Sequence, residues 1–304
     1  MPAVIESYQK FIQAGDLPPL SQVGMEILRL GDRDDLSASQ LVRLISKDAA
    51  LAAKVLRFAN SPFYGLRTQV KTLDHAIVVL GQVSIVSICG ASTLLGTLKM
   101  PKTLDHERYE SNALRSHSVL TAILARWLAQ QMASPHVPVS DSFFGGLLHD
   151  IGELVTAVYY TKHLGEIRQY EQEHPDSPSY QAEQAILGFD HQELGAEVLN
   201  HWHMPQLYIE MARHHHDEAT YAVDTGEGMM GMVLHAADQL ADWFKDSLIP
   251  MVASGPVQPE GWQEPWESAL PMMQGVLPDI VGKLEKDMER ILEEARIMIE
   301  QSGT

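Results

Sequence analysis

The stretch 143–154 constrains the fold of this chain more than any other, because it places an adjacent histidine and aspartate inside an apolar run. It reads Phe-Phe-Gly-Gly-Leu-Leu-His-Asp-Ile-Gly-Glu-Leu, with His149 and Asp150 at its centre. Burying a carboxylate beside an imidazole is costly unless hydrogen bonds or a cation compensate both groups. A divalent metal is such a cation, since imidazole and carboxylate are both ready ligands. The alternative is a pair that is hydrogen-bonded within an ordinary core.

Helical patterns account for nearly the whole chain, and no convincing alternating strand is present. Ser37 and Gln40 have the spacing of a capping box in front of an apolar helix. Thr72 is a candidate N-cap for a helix over 73–80 that Gly81 ends. Apolar residues recur at helical spacing through most of the remaining segments. These patterns predict an all-α fold.

The helical segments fall into three parts. Residues 1–100 are expected to form an N-terminal unit of about five short helices, ending near Met100-Pro101. Residues 101–250 are expected to form a helical bundle. Residues 251–304 read as a loop followed by an amphipathic helix.

Two details of the bundle follow from local signals. A long helix is expected from about Leu104 to Met132, and it would carry His117. Asp141 or Ser142 is expected to cap the helix that contains the His-Asp pair.

Composition and charge restrict the kinds of partner. The net charge of −18 repels nucleic acid, so we expect no sequence-independent phosphate-binding surface. No segment approaches the apolar length of a membrane span, and the N-terminus has no pattern of a secretory signal. The single cysteine, Cys89, excludes an internal disulfide and stands in an apolar setting. We therefore expect a cytoplasmic protein without a nucleic-acid or membrane partner.

Further histidines and aspartates stand on helical segments that are otherwise apolar or mixed. Together with His149 and Asp150, the candidates are His117, His191, His215, His216 and Asp238. Such a set, if gathered by the fold, supplies imidazole and carboxylate donors for a metal.

The sequence does not decide which histidines of the run 214–216 are the candidate ligands. Three histidines are consecutive, so either His214 or His216 could accompany His215 as a ligand. His235 lies about one helical turn before Asp238, and we expect it to support a ligand rather than to be one.

The order of these residues (His, then His-Asp, then His, then His-His, then Asp) resembles the HD superfamily of metal-dependent phosphohydrolases. The resemblance is closer to the HDOD family. The matching stretches are Leu17-Pro18-Pro19-Leu20, the segment 51–65 ending in Asn-Ser-Pro-Phe-Tyr-Gly, Ala76–Gly81, and Trp202-His203-Met204-Pro205. This resemblance implies an N-terminal helical unit packed on an HD-like helical bundle with a buried metal centre.

The resemblance also implies roles for single residues. The metal-ligand positions of the HD pattern fall on His117, His149, Asp150, His191, His215, His216 and Asp238. Seven such residues are enough for two metal ions, with Asp150 as the bridging carboxylate and, if the protein is active, the candidate catalytic residue. Imidazole-rich binuclear sites suit iron, manganese or zinc, as divalent or mixed-valent ions, and the resemblance favours iron.

Two departures from the related HD-GYP pattern bear on catalysis. Glu153 stands where that pattern has a lysine, and a carboxylate there repels an anionic substrate. Glu153 either hydrogen-bonds a ligand or is solvated. No Gly-Tyr-Pro motif follows His216. Hydrolysis of cyclic-di-GMP is therefore disfavoured.

Two functions remain in order of preference. The first is a bacterial signal-transduction or regulatory protein with a binuclear metal centre that acts through protein partners. The second is a metal-dependent phosphohydrolase, a phosphodiesterase or phosphomonoesterase, acting on a nucleotide-like phosphoester. A site without metal is the third reading. Neither the substrate, the partner nor the oligomeric state follows from the sequence.

Overall fold

The regular structure consists of helices throughout the part of the chain that the computed structural model describes. That part comprises residues 12, 17–28, 37–61, 64, 66, 68–97, 111–217, 226–254 and 279–302. The helices are α1 (Gln22–Leu28), α2 (Ala38–Ile45), α3 (Ala49–Ala59), α4 (Leu73–Leu80), α5 (Gln82–Thr97), α6 (Ser111–Met132), α7 (Val139–Leu148), α8 (Ile151–Tyr159), α9 (Leu164–Glu173), α10 (Ser179–Leu187), α11 (His191–His201), α12 (Gln206–His214), α13 (Gly226–Ser254) and α14 (Ile280–Ser302), with a 3-10 turn at Thr161–His163. The predicted all-α fold is confirmed.

Local capping signals set the ends of the first helices as the sequence predicts. The Ser37 hydroxyl accepts from Gln40 N–H at 3.3 Å, and the Gln40 side chain accepts from Ser37 N–H at 2.8 Å, which completes the capping box of α2. The Thr72 hydroxyl accepts from the first turn of α4. Gly81 ends α4 with a φ of 81°, a conformation that favours glycine. Among the described residues, helices α1–α5 precede the undescribed segment 98–110, which contains the predicted boundary at Met100-Pro101.

Helix α6 is the central helix of the bundle. Every residue from Ser116 to Ala129 is buried, so α6 has no solvent-facing side over these four turns. Helices α7, α13 and α14 pack against it. At Gly146 of α7, an added Cβ would lie 2.7 Å from the Cα of Ala122 in α6. The two backbones therefore touch, which fixes the start of the His-Asp stretch against the central helix.

Helix α14 closes the bundle on another side of α6. Its apolar face (Leu284, Met288, Ile291, Leu292, Ala295 and Met298) is buried, as its amphipathic pattern predicts. Two polar contacts fix its register on α6. Trp127 Nε1 donates to Asp287 Oδ2 at 2.7 Å, and Arg126 Nη2 donates to Glu294 Oε1 at 2.6 Å.

Some details differ from the prediction. His149 and Asp150 form a turn between α7 and α8 and do not lie inside one helix. Asp141 does not cap that helix: Pro138 is the N-cap of α7, and buried Asp141 accepts a hydrogen bond from the Tyr208 hydroxyl at 2.9 Å. The prediction of an Asp141 or Ser142 cap was therefore wrong, because a tertiary partner takes the carboxylate. Helix α13 continues to Ser254, into the region predicted as loop.

Two further expectations concern the setting of Cys89 and the absence of membrane-spanning segments. Cys89 is fully buried, which raises the pKa of its thiol and agrees with a core residue. In the described ranges no individual helix has the length and apolarity to cross a membrane. The bent pair of α4 and α5 meets that test only when the two are joined, by length and composition alone.

Candidate metal centre

Five parts of the bundle deliver the seven candidate ligands to one place. His117 comes from α6, His149 and Asp150 from the turn between α7 and α8, and His191 from the first position of α11. The turn after α12 provides His215 and His216, and α13 provides Asp238. The structure brings all seven side chains together in two adjoining groups.

The first group consists of His117, His149, Asp150 and Asp238. His117 Nε2 lies 3.1 Å from Asp150 Oδ2, 3.0 Å from Asp238 Oδ1 and 3.3 Å from His149 Nε2. His149 Nε2 lies 3.0 Å from Asp150 Oδ2 and 3.3 Å from Asp238 Oδ1. Ligands about 2.1 Å from a metal have donor atoms about 3.0 Å apart at right angles and about 3.4 Å apart in a tetrahedron. The spacing of these four donors therefore fits one metal ion.

The second group consists of His191, His215 and His216. His191 Nε2 lies 3.3 Å from His215 Nε2 and 3.1 Å from His216 Nε2. His216 is the most exposed of the seven, and its ring stacks on that of Tyr180 with centroids 5.7 Å apart. The second group thus has one edge that solvent can reach.

Asp150 joins the two groups. Its Oδ2 faces His117 and His149, whereas its Oδ1 lies 3.2 Å from His215 Nε2 and 3.7 Å from His191 Nε2. One carboxylate thus offers a separate oxygen to each group. This is the arrangement that a bridging carboxylate between two metal ions requires.

Hydrogen bonds on the far side of three rings orient them. His149 Nδ1 donates to Gly146 O, and His215 Nδ1 donates to Ala212 O, both at 2.8 Å. His191 Nδ1 donates to Glu183 Oε2 at 2.7 Å. A neutral imidazole that donates through Nδ1 has a lone pair on Nε2, so these bonds direct lone pairs into the centre.

The converging nitrogens fit a metal better than a hydrogen-bonded core. Three pairs of Nε2 atoms approach within 3.3 Å: His117 with His149, and His191 with both His215 and His216. Facing lone pairs repel one another unless a proton or a cation lies between them. A metal ion satisfies several at once, so the donor set fits the metal that the HD pattern implies.

Two buried glutamates support the second group. Glu183 is fully buried and accepts from both the backbone N–H and the Nδ1 of His191 at 2.7 Å. Glu153 is 8 % exposed, and one of its carboxylate oxygens, one of Glu183 and a ring nitrogen of His191 all lie within 4.8 Å of one another. Of the two predicted readings of Glu153, solvation does not apply. Glu183 was not predicted, because a lone glutamate in a mixed helix looks like a surface residue.

The charges in the first group shift the pKa values of its members in opposite directions. Burial alone would lower the pKa of His149, but the charges of Asp150 and Asp238 outweigh it and raise the pKa to about 10. The same two carboxylates raise the pKa of His117 against its burial. In turn, the histidines hold the pKa of each aspartate well below its usual range, although burial opposes this.

In the second group, the pKa values of the three histidines shift in different directions. For His191, burial lowers the pKa, but Glu183 outweighs it and raises the value to about 9. For His216, burial and the positive charges of His215 and His191 lower the pKa to about 3. Burial also lowers the pKa of His215. Of these three rings, His191 is the one whose pKa is raised, because it faces the fully buried Glu183.

The neighbours that the sequence left open lie outside the groups. His214 lies 3.4 Å from Glu210, and its side chain is 42 % exposed. His216, not His214, accompanies His215 in the cluster. His235 is hydrogen-bonded to Gln239 at 2.8 Å and belongs to neither group of donors.

A close backbone contact holds the His149-Asp150 turn near His191. A Cβ on Gly152 would overlap the carbonyl oxygen of His191 and lie 2.9 Å from Gly195 N. Helices α8 and α11 thus meet at two glycines that follow Asp150 and His191 by two and four residues. This approach brings His191 within reach of the Asp150 carboxylate.

Comparisons with known structures agree with this architecture. An HDOD domain protein of unknown function from Geobacter sulfurreducens has a TM-score of 0.67 and 19 % identity, and the alignment covers 96 % of this chain and 98 % of that one. A proposed phosphohydrolase from Shewanella amazonensis SB2B has a TM-score of 0.70 and 21 % identity, covering 98 % and 97 %. A proposed signal transduction protein from Marinobacter aquaeolei VT8 has a TM-score of 0.70 and 22 % identity, covering 93 % and 60 %. At these identities the likeness shows the fold.

Sequence comparisons identify the family. An uncharacterised protein of Treponema pallidum (strain Nichols) is 27 % identical over 202 residues, which are 66 % of this chain. The match spans only 38 % of that relative's length. The sequence profile of the HDOD domain matches residues 17–218, about two thirds of the chain, and six of the seven cluster residues lie within it. With the helical fold and the His/Asp cluster, this match places the chain in the HDOD family.

Proposed function

We propose that the seven residues form a binuclear metal centre at which the protein hydrolyses a phosphoester. The placement of Asp150 carries this proposal, because its two oxygens face different groups of imidazole nitrogens. Two bound ions would hold phosphoryl oxygens and lower the pKa of a bound water. Iron is our first choice, with manganese or zinc as alternatives, since imidazole-rich sites suit these metals. The Shewanella neighbour, itself a proposed phosphohydrolase, supports the same reaction class.

The protein itself would orient the metal ligands and leave one side of the centre open to a substrate. The Nδ1 bonds of His149, His191 and His215 restrain the rings, so their Nε2 atoms need no reorganisation to bind a cation. His216 lies at the exposed edge beside Tyr180, and this is the side on which a substrate would enter.

The charge near the centre restricts the substrate. Glu153 and Glu183 add two buried carboxylates beside His191, and Glu153 occupies the place of an HD-GYP lysine. Carboxylates there disfavour a second phosphoryl group beside the one that the metal ions would hold. We therefore propose a small, nucleotide-like phosphomonoester or phosphodiester rather than cyclic-di-GMP.

Elemental analysis and a phosphoester panel test the proposal together. We expect about two equivalents of iron, manganese or zinc in protein purified without chelator. We expect the loaded protein to hydrolyse at least one of p-nitrophenyl phosphate, bis-p-nitrophenyl phosphate and the nucleoside monophosphates, and to lose this activity after chelation. Protein without metal would contradict the binuclear centre. Two equivalents without turnover would contradict the hydrolase and leave the centre standing.

A second candidate function is a regulatory protein in the cytoplasm that holds the same metal centre and acts through protein partners. The buried carboxylates Glu153 and Glu183 favour it, because they oppose an anionic substrate while leaving the metal ligands intact. The Marinobacter neighbour is a proposed signal transduction protein. This candidate requires two equivalents of metal, no phosphoester turnover, and a partner that is captured by the metal-loaded protein but not by the chelated one. Capture that is equal in both states would contradict a role for the centre.

A further inference from the structure

Helix α10 lies outside the five parts of the bundle that supply the candidate ligands, yet two of its residues contact the second group. Glu183 accepts hydrogen bonds from the ring and from the backbone N–H of His191. Tyr180, one turn earlier, stacks on the ring of His216. Residues three apart in a helix lie on the same side of it. One side of α10 therefore faces the second group of donors.

The partner of the His191 ring differs from the partners of the other two rings that donate through Nδ1. His149 and His215 donate to neutral backbone carbonyls, whereas His191 donates to a carboxylate. A carboxylate on the far side of an imidazole makes its other nitrogen more basic and thus a better metal ligand. Glu183 is fully buried, so solvent and salt screen its charge little.

The first group has only a weaker counterpart of this contact among the described residues. Asp242 Oδ1 lies 3.3 Å from His117 Nδ1, but the side chain of Asp242 is 58 % exposed. Water and salt screen the charge of an exposed carboxylate. The two groups of ligands therefore differ in the charge that lies behind their imidazoles.

The negative charge behind His191 favours a cation in front of the ring. Glu153 and Glu183 are both buried, and one oxygen of each lies within 4.8 Å of the other and of a ring nitrogen of His191. Buried carboxylates this close repel each other, so nearby positive charge lowers the cost of burying them. A divalent ion bound at His191 Nε2 would supply such charge on the other side of the ring.

The second group is also the more accessible of the two. The four residues of the first group are all buried, whereas His216 is exposed at the edge of the second group. Metal sites that protein ligands close on all sides are typically structural, and sites with an open position exchange what they bind. An ion held by the second group is therefore the one that a chelator reaches first.

We propose that the ion of the second group is the exchangeable ion of the centre, and that Glu183 is a positioning residue that sets how tightly this ion is held. Glu183 acts through His191, because it fixes the ring by two hydrogen bonds and places its charge behind the ligand nitrogen. Tyr180 restrains the His216 ring from the same helix. The inference rests on the metal centre proposed above and does not require that the centre hydrolyses a phosphoester.

The release of zinc from the full chain tests this assignment without any turnover. Protein stripped with chelator and desalted is loaded with about two equivalents of Zn²⁺. An excess of a chromogenic chelator then takes up the metal while its absorbance is followed. We expect a fast and a slow phase of about one equivalent each. The fast phase should be missing in His216→Ala, which would assign it to the second group.

The variant Glu183→Gln isolates the charge of this residue. Both hydrogen bonds from His191 end on the same oxygen, Oε2, so a glutamine can keep them. We expect Glu183→Gln to accelerate the fast phase about tenfold or more and to change the slow phase less than about twofold.

A matched control removes the same kind of carboxylate–imidazole pair elsewhere. Glu166 Oε2 lies 3.0 Å from His163 Nδ1, with a side chain that is 63 % exposed, and neither residue belongs to the cluster. Glu166→Gln should leave both phases of zinc release unchanged. A general effect of replacing a glutamate by glutamine is thereby separated from the role of Glu183.

A second pair of variants keeps the test decisive if Glu183→Gln does not fold. Tyr180→Ala removes the stack on His216 and should accelerate the fast phase about threefold, whereas Tyr180→Phe keeps the ring and should restore the wild-type rate.

Three results would overturn the proposal while leaving the metal centre standing. They are a single phase of release from the wild type, a folded Glu183→Gln variant that leaves the fast phase unchanged or accelerates both phases equally, and Tyr180→Ala and Tyr180→Phe variants that are indistinguishable. A wild-type protein that binds no zinc would contradict the metal centre itself, and with it this inference.

Discussion

At the scale of single residues, Asp150 is the side chain that connects the two groups of candidate ligands. Its two oxygens face separate sets of nitrogens, so the two groups depend on one side chain. Asp242, by contrast, approaches the cluster only from outside, with Oδ1 3.3 Å from His117 Nδ1 and a side chain that is 58 % exposed. The two carboxylates therefore form a matched pair for substitution.

We predict that Asp150→Ala lowers the metal content from about two equivalents to one or none, because both groups lose a ligand. Asp242→Ala should lose less metal than Asp150→Ala, because it removes an exposed carboxylate on the outer side of the His117 ring and no ligand atom. Elemental analysis after desalting measures both, and circular dichroism verifies the helical fold. An Asp150→Ala variant that keeps the full metal content would contradict the bridging role of Asp150.

The histidine run offers a second comparison, between neighbours in the chain. His216 lies in the cluster, whereas His214 lies beside Glu210. We predict that His216→Ala loses about one equivalent of metal, because the second group then retains only two imidazoles and one carboxylate oxygen. His214→Ala should keep the full content. Equal losses of metal in the two variants would contradict the assignment of His216, rather than His214, to the second group.

At the scale of elements, the sequence predicts the helices better than the contacts between them. The capping box of α2 and the end of α4 at Gly81 were predictable because their signals are local. The order of histidines and aspartates identified the candidate ligands because the pattern resembles a known family. The turn between α7 and α8, the Asp141–Tyr208 bond and the role of Glu183 were not predicted. Tyr208 lies 67 residues from Asp141, and Glu183 bonds His191 only after the chain has turned back at the end of α10.

The contact between α8 and α11 has a testable consequence. Gly152→Ala places a methyl group against the carbonyl of His191, so the helices must separate. We predict a loss of about 1–3 kcal/mol in the free energy of unfolding and a lower metal content, because His191 moves away from Asp150. Gly165→Ala in α9, where an added Cβ meets nothing within 4 Å, should be neutral or stabilising. Urea unfolding measures both, and an unperturbed Gly152→Ala variant would contradict the close approach.

At the scale of the whole molecule, the raised pKa values of the cluster make its stability depend on pH. Without a metal, the pKa values of His149 and His191 are about 10 and 9, above the value of about 6.5 in an unfolded chain. The stabilisation that their protonated forms provide is complete below about pH 6.5 and is lost as the pH rises through 9 and 10. Protons also compete less with a metal over that interval.

We therefore predict that the difference in Tm between metal-loaded and chelated protein widens from pH 6.5 to pH 9. The metal stabilises the folded state by mass action, and its advantage grows as the chelated protein loses the contribution of its protonated histidines. Thermal unfolding followed by circular dichroism at pH 6.5, 7.5 and 9 gives the three differences. The Asp150→Ala variant, which should hold little metal, serves as the control with a small and constant difference. If the difference in Tm between metal-loaded and chelated wild-type protein narrowed as the pH rose, the charge arrangement of the cluster would be contradicted.

The scatter of the ligands along the chain has a consequence for biosynthesis. A ribosome makes His191, His215 and His216 before it reaches Asp238, which is 22 residues beyond the last of these histidines. At about 5–20 residues per second, the interval is about 1–4 s. During it, the nascent chain has a complete set of three imidazoles together with Asp150, while the first group still lacks an aspartate. The two halves of the centre therefore become available in sequence, and a metal ion captured early would meet the three-histidine half first.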